Sequence, residues 1–172
     1  REPGGTDLAE EVRRLVLTPP HGSGWSGLGQ TLLVYGARRD HLEKLIIPAL
    51  EAGDIVISDR FSDSTRVYQG LGGVDRATID ALDLIVVGNT QPDLTLILDG
   101  PVSELLARRE GRGVSDVFEA QSLDYHEKVR SAYLDIARSN PDRCKLLDAL
   151  MPPDEIIGQA MSLVDRVLAH HG

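Results

Sequence analysis

Residues 54–70 read DIVISDRFSDSTRVYQG. Near the start stand three aliphatic residues in a row, Ile55, Val56 and Ile57. A run of this kind, with no polar alternation, predicts a parallel strand over DIVISDRF (54–61), covered on both faces. Its carboxyl end carries Ser58, Asp59 and Arg60, then Ser62, Asp63, Ser64 and Thr65. Ligands of open parallel sheets gather beyond the carboxyl ends of the strands. Arg60 is therefore placed to clamp an anion with hydroxyls close by; the competing reading is an Asp59–Arg60 pair that braces a loop.

Outward from this stretch, strand and helix patterns alternate. TDLAEEVRRLVL (6–17) reads as a helix capped by Thr6, with acids in its first turn. LGQTLLVYGARRDHLEKLIIPALEAG (28–53) is a long helical pattern that Pro48 should kink or split and Gly53 should stop. VDRATIDALDLIVVG (74–88) is helical, and PDLTLILDG (92–100) is a second buried strand ending at Asp99. Then come a short helix at 101–110, a basic glycine-bearing loop at 111–116, and a long amphipathic helix at 118–140. A third strand at 143–150 and a last helix at 152–171 complete the chain. Strands alternating with helices predict an α/β fold with a parallel sheet, and no repeat or linker divides the 172 residues.

Composition narrows the partners. A net charge of -9 argues against duplex DNA and against an anionic membrane surface. No apolar run approaches the roughly 20 residues of a membrane-spanning helix, and the single cysteine, Cys144, reads as buried core. A cytoplasmic setting is expected. The 18 basic residues include only three lysines (Lys44, Lys128 and Lys145); the rest are arginines, whose planar fork grips phosphate or carboxylate bidentately.

Two glycine motifs are set aside. GSGWSG (22–27) matches G-x-G-x-x-G literally, but it follows Pro19-Pro20 and no strand precedes it. GLGG (70–73) reads as a plain loop, and no lysine lies in a glycine-rich turn, so the sequence contains no P-loop. Two arginine-bearing stretches remain. Tyr35 and Arg39 stand i, i+4 on one helix, a spacing that lets a ring stack on a planar ligand while the guanidinium reaches its edge. Arg108, Arg109 and Arg112 crowd a glycine-bearing loop that can close over phosphates. Taken singly, each also reads as an ordinary surface feature.

Together these pieces agree in order and spacing with one family. REPGGT with EEVR, LLVYGARRDHLEKLIIPAL, DRFSDSTRVYQG, PDLTLILD, ARREGRGVSDVFE and LLDALMPPDEII run from residue 1 to about 157 and resemble bacterial thymidylate kinase. The resemblance implies a P-loop kinase-like three-layer α/β fold, a parallel sheet wrapped by helices. It implies a single nucleoside monophosphate kinase-like domain over 1–172, with a mobile lid around 108–117. It implies transfer of the γ-phosphoryl of ATP to dTMP with Mg²⁺, in dTTP biosynthesis, and a homodimer.

Residue by residue, the resemblance places Tyr35 where the family stacks a Phe on thymine, and Arg39 at the base edge. Arg60 falls on the arginine that holds the dTMP phosphate, with Asp59 beside it near Mg²⁺. Arg13, Ser64, Tyr68 and Gln69 fall on positions lining the nucleotide site, and Glu2 beside the acceptor phosphate. Arg108 and Arg112 fall on lid arginines that supply catalytic charge. One lid departure is Val117 where the family has Arg, leaving Arg109 as a substitute. The larger departure is that the family's first strand, P-loop, helix and second strand would precede REPGGT. The resemblance implies that such a segment supplies the ATP cradle and two further strands. Alternatives are a non-catalytic nucleotide-binding module, or a kinase for another nucleoside monophosphate.

Overall fold

The computed structural model describes residues 1–20, 24–109 and 121–171. Among them, one compact unit holds Arg1–Gln91 and a second holds the residues from Pro92 onward.

The first unit is helical. α1 (Asp7–Leu17) starts as the sequence predicts, because Thr6 Oγ1 accepts the Ala9 N–H. α2 (Gly27–His41) is capped by Ser26, whose hydroxyl accepts the Gly29 N–H. The literal dinucleotide motif thus ends as a helix cap. Gly27 is required by packing: a Cβ there would stand 2.6 Å from the Gly72 carbonyl oxygen, so the GLGG turn and the start of α2 touch backbone to backbone. After His41 the ladder loosens into a π turn (Leu42–Ile46), and α3 (Ile47–Glu51) follows. Pro48 offers no N–H, and just ahead of it the Ile47 N–H reaches back five residues to Leu42. Gly53 ends the run at φ 84°.

The expected strand over 54–61 does not form. Residues 54–58 make no ladder among the described residues. Val56 and Phe61 pack on a core of Leu42, Ile46 and Val87, but Ile55 and Ile57 are 61% and 87% exposed. The expected cover on both faces is absent at Ile55 and Ile57, and a strand also needs a hydrogen-bonding neighbour on its edge. The polar stretch after it is α4 (Ser62–Leu71), for which the sequence predicts no element. α5 (Arg76–Val86), capped by Asp75, closes the unit.

The second unit carries the sheet. β1 (Thr95–Asp99) and β2 (Cys144–Asp148) pair in parallel, Thr95 opposite Cys144 and Asp99 opposite Asp148. α6 (Val102–Arg109) and α7 (Leu123–Ser139) form the crossover, and α8 (Pro153–His171) follows β2. Cys144 is buried, as expected.

Candidate functional site

The site is built by the inward face of α2. Thr31, Tyr35, Arg38 and His41 are all buried there, at the 3- and 4-residue spacings that keep side chains on one helix face. Burying an arginine demands a partner. Arg38 finds four: its Nε donates to Glu2 Oε2 at 2.7 Å, its Nη2 donates to Thr65 Oγ1 at 3.0 Å, and its Cζ lies over Tyr35 and Phe61, 4.9 and 5.0 Å from the ring centroids. Its remaining nitrogen, Nη1, is buried with no hydrogen-bond partner. That nitrogen is a donor left unpaired inside the unit.

Glu2 reaches this position because the turn that carries it is fixed. Its N–H donates to Asp59 O at 2.9 Å, and Arg13 Nη1 donates to Pro3 O at 3.2 Å. Gly4 and Gly5 then take φ of 141° and 96°. The Glu2 carboxylate is 2% exposed and its second oxygen contacts His41 Nδ1 at 3.1 Å. Since a carboxylate only accepts, Nδ1 is the protonated nitrogen.

Arg60 stands at the entry to α4. Its φ is 67°, the left-handed region that non-glycine residues avoid. Ser58 Oγ donates to its carbonyl at 2.9 Å, and its guanidinium lies 5.1 Å from the Tyr68 ring centroid. The N-terminus of α4 directly after it favours negative charge.

A second buried cluster props the first. Asp83 on α5 accepts from Ser62 Oγ at 2.6 Å, Arg66 Nη2 at 2.7 Å, Tyr35 Oη at 3.2 Å and Gln91 Nε2 at 3.2 Å. Burial pushes its carboxyl up, but the Ser62 bond, the Arg66 charge and the Gln91 amide outweigh this and hold it below the usual carboxylate value. Burial, reinforced by the Asp83 charge, drives the Tyr35 hydroxyl far above its ordinary range. The phenol stays neutral and donates to Ile79 O and Asp83.

Of the residues expected at the site, the structure gathers Glu2, Arg13, Tyr35, Asp59 and Arg60, with Tyr68 beneath Arg60. Ser64 sits in the first turn of α4, and Gln69 is buried against the Gln30 amide at 3.0 Å. The pairing of Tyr35 with Arg39 is corrected. Arg39 turns outward, donating to Glu43 at 2.6 Å and to Val86 O at 3.2 Å, and Arg38 takes the place over the ring. Tyr35 is itself 2% exposed, wedged into the wall rather than offering a free face. Arg38 and His41 were missed. The signal was a polar stripe (Thr31, Tyr35, Arg38, His41) where an amphipathic helix should bury aliphatic residues.

In the second unit, Arg108 donates to Ala149 O and Leu150 O at 2.9 and 3.1 Å. Arg112 and the rest of the expected lid beyond Arg109 lie outside the described residues. Asp99 is gripped bidentately by Arg130 at 2.7 and 3.0 Å, which holds its carboxyl below the usual range. A groove of about 650 Å³ between β2 and α8, lined in part by Leu146, Leu147 and Leu163, contains none of the expected site residues. Among the described residues no group of three His, Cys, Asp or Glu side chains could hold a metal ion, and no helix is long and apolar enough to cross a membrane.

A parallel β1–β2 pair joined through helices, together with a helical unit that buries an arginine against a carboxylate, fits the class of nucleotide-handling phosphotransferases. Residues 1–159 match the family described as thymidylate kinase. The chain is 49% identical over 150 residues to the thymidylate kinase of Caulobacter vibrioides, spanning 87% of this chain and 72% of that one. It is 44% identical over 180 residues to that of Bradyrhizobium diazoefficiens, spanning 98% and 75%. The crystal structure of thymidylate kinase from Ehrlichia chaffeensis superposes with a TM-score of 0.73 at 33% identity, covering 95% of this chain and 77% of that one. The chain belongs to the thymidylate kinase family, and the P-loop kinase-like α/β fold expected from the sequence stands.

Proposed function

We propose that the first unit is the acceptor site of a dTMP kinase, which passes the γ-phosphoryl of ATP to the phosphate of dTMP. The observation that carries the assignment of the site is Arg38: a buried guanidinium, stacked by Tyr35 and Phe61 and fixed by Glu2, with Nη1 left to donate. A pyrimidine presents carbonyl oxygens at its edge, and Arg38 Nη1 is the donor for one of them. Arg60, at the N-terminus of α4, takes the phosphate. Glu2 acts by holding Arg38, Arg13 by holding the turn at Pro3, and Tyr68 by supporting Arg60. Ser64 and Gln69 line the α4 side.

Phosphoryl transfer needs positioning and charge neutralisation more than covalent participation by the protein. Magnesium is commonly held by one or two carboxylates together with phosphate oxygens, and Asp59, exposed beside Arg60, would be the carboxylate here. Arg108 and Arg112 are the proposed lid arginines of a single domain, and Arg109 is the substitute for the arginine that Val117 replaces. A homodimer is also proposed, supported by Leu84 and Ile85 on α5, which are about three-quarters exposed; sedimentation tests it, a monomer at micromolar concentration counting against it. The activity itself is tested by dTMP-dependent ADP release from ATP, with dUMP and dGMP as competitors. Turnover preferring dTMP supports the assignment; no dTMP-dependent turnover sinks it, and a preference for dGMP moves the enzyme to another nucleoside monophosphate.

A further inference from the structure

We propose that His41 is a positioning residue for the nucleotide base, acting through Glu2 on Arg38. The inference rests on the acceptor-site reading above.

Both oxygens of the Glu2 carboxylate are engaged, one by Arg38 Nε at 2.7 Å and the other by His41 Nδ1 at 3.1 Å. A carboxylate with a single partner can swing about its last bonds; one pinned at both oxygens has its plane fixed, and so has the guanidinium that shares it. Arg38 aims its unpartnered Nη1 only as accurately as Glu2 is held. All three side chains are buried, so no water substitutes freely for the imidazole.

The chain also spends backbone conformation on keeping the ring in place. At Gly5, with φ 96°, a Cβ would stand 2.3 Å from His41 Nε2. The glycine leaves the space that the imidazole fills, and the turn bearing Glu2 closes directly on it. His41 is the last residue of α2, where the ladder gives way to the π turn. Its direction is therefore set by contacts with the Glu2 turn as well as by its own helix.

A group that only aims the base donor acts equally on ground state and transition state, so its loss raises KM and spares kcat. A merely structural histidine would lower the folded fraction, and with it kcat, at unchanged KM. The test uses H41N, H41Q and H41F in the full enzyme, with steady-state kinetics and thermal unfolding. The Asn amide places an N–H near the position of Nδ1, the Gln amide near Nε2, and Phe keeps the ring without a donor. The expected result is that KM for dTMP rises about tenfold or more in H41F and H41Q, as for a lost bond to a buried charge, while KM for ATP and kcat stay within about threefold. H41N returns KM for dTMP to within about threefold of wild type. Should H41F fail to fold, the Asn–Gln pair decides. Equal KM values for dTMP in H41N and H41Q, or an unchanged KM in folded H41F, overturn the proposal while leaving the acceptor site intact. Absence of dTMP turnover by the wild type overturns the site reading itself, and this inference with it.

Discussion

Arg38 and Glu2 form an ion pair 2.7 Å long between side chains 1% and 2% exposed, across 36 residues of sequence. A pair this deep does not stabilise the fold simply because it exists; its worth lies in what happens when one partner is removed. Glu2→Ala leaves the guanidinium buried and uncompensated and should cost about 3–5 kcal/mol. Denaturant unfolding of E2A and of the double variant E2A/R38M checks this. The double variant should recover much of the loss, because the two changes share one interaction.

Tyr35→Phe should cost about 0.5–1.5 kcal/mol, the ordinary net worth of the hydrogen bonds its hydroxyl makes to Ile79 O and Asp83. Urea denaturation reads it. The aromatic plane remains, so dTMP affinity should change less than stability does.

Asp83 predicts an acid dependence. Its folded carboxyl titrates below its ordinary value of 3.8, so the stability it contributes is present above about pH 4 and is lost as pH falls through the lower folded value. Melting temperatures of wild type and D83N should therefore differ at pH 7 and converge below about pH 4. A gap that persists undiminished into acid would refute the role given to Asp83.

Arg60 sits in the left-handed region of the backbone at φ 67°. A non-glycine residue in the left-handed region costs of order 1 kcal/mol or more, so R60G should be more stable than R60A by about 1 kcal/mol. Both should lose dTMP affinity by about tenfold or more, as for a lost charge-assisted bond. Thermal unfolding paired with calorimetry separates the two effects.

Gly5→Ala should destabilise by more than about 1 kcal/mol, since φ 96° is unfavourable for alanine and its Cβ meets the His41 ring. The KM for dTMP should rise as well, because the displaced imidazole releases Glu2. Kinetics on the folded fraction tests the second half.

Local signals were legible in the sequence. The Thr6 cap, the Pro48 disturbance and the Gly53 stop all act within a few residues, and all appear. The strand expected over 54–61 failed because a strand is completed by another strand's backbone, which no local run can supply. That Arg38 rather than Arg39 lies over Tyr35 has a related reason. Residues three and four positions after Tyr35 are both its neighbours on a helix, and the sequence reading took the i+4 partner. What decides is Glu43, which draws Arg39 outward, and Glu2, which draws Arg38 in from 36 positions away. The helix at 62–71 was hidden by its polar residues, several of which are buried in the network around Asp83.

The most direct test is a calorimetric titration of dTMP into wild type, R38K and R39K. Lysine keeps a positive charge near Glu2 but removes the forked donors of arginine. R38K should bind dTMP about tenfold more weakly or worse, and R39K should bind within about threefold of wild type. The reverse order, with R39K impaired and R38K unaffected, would contradict the assignment of the acceptor site.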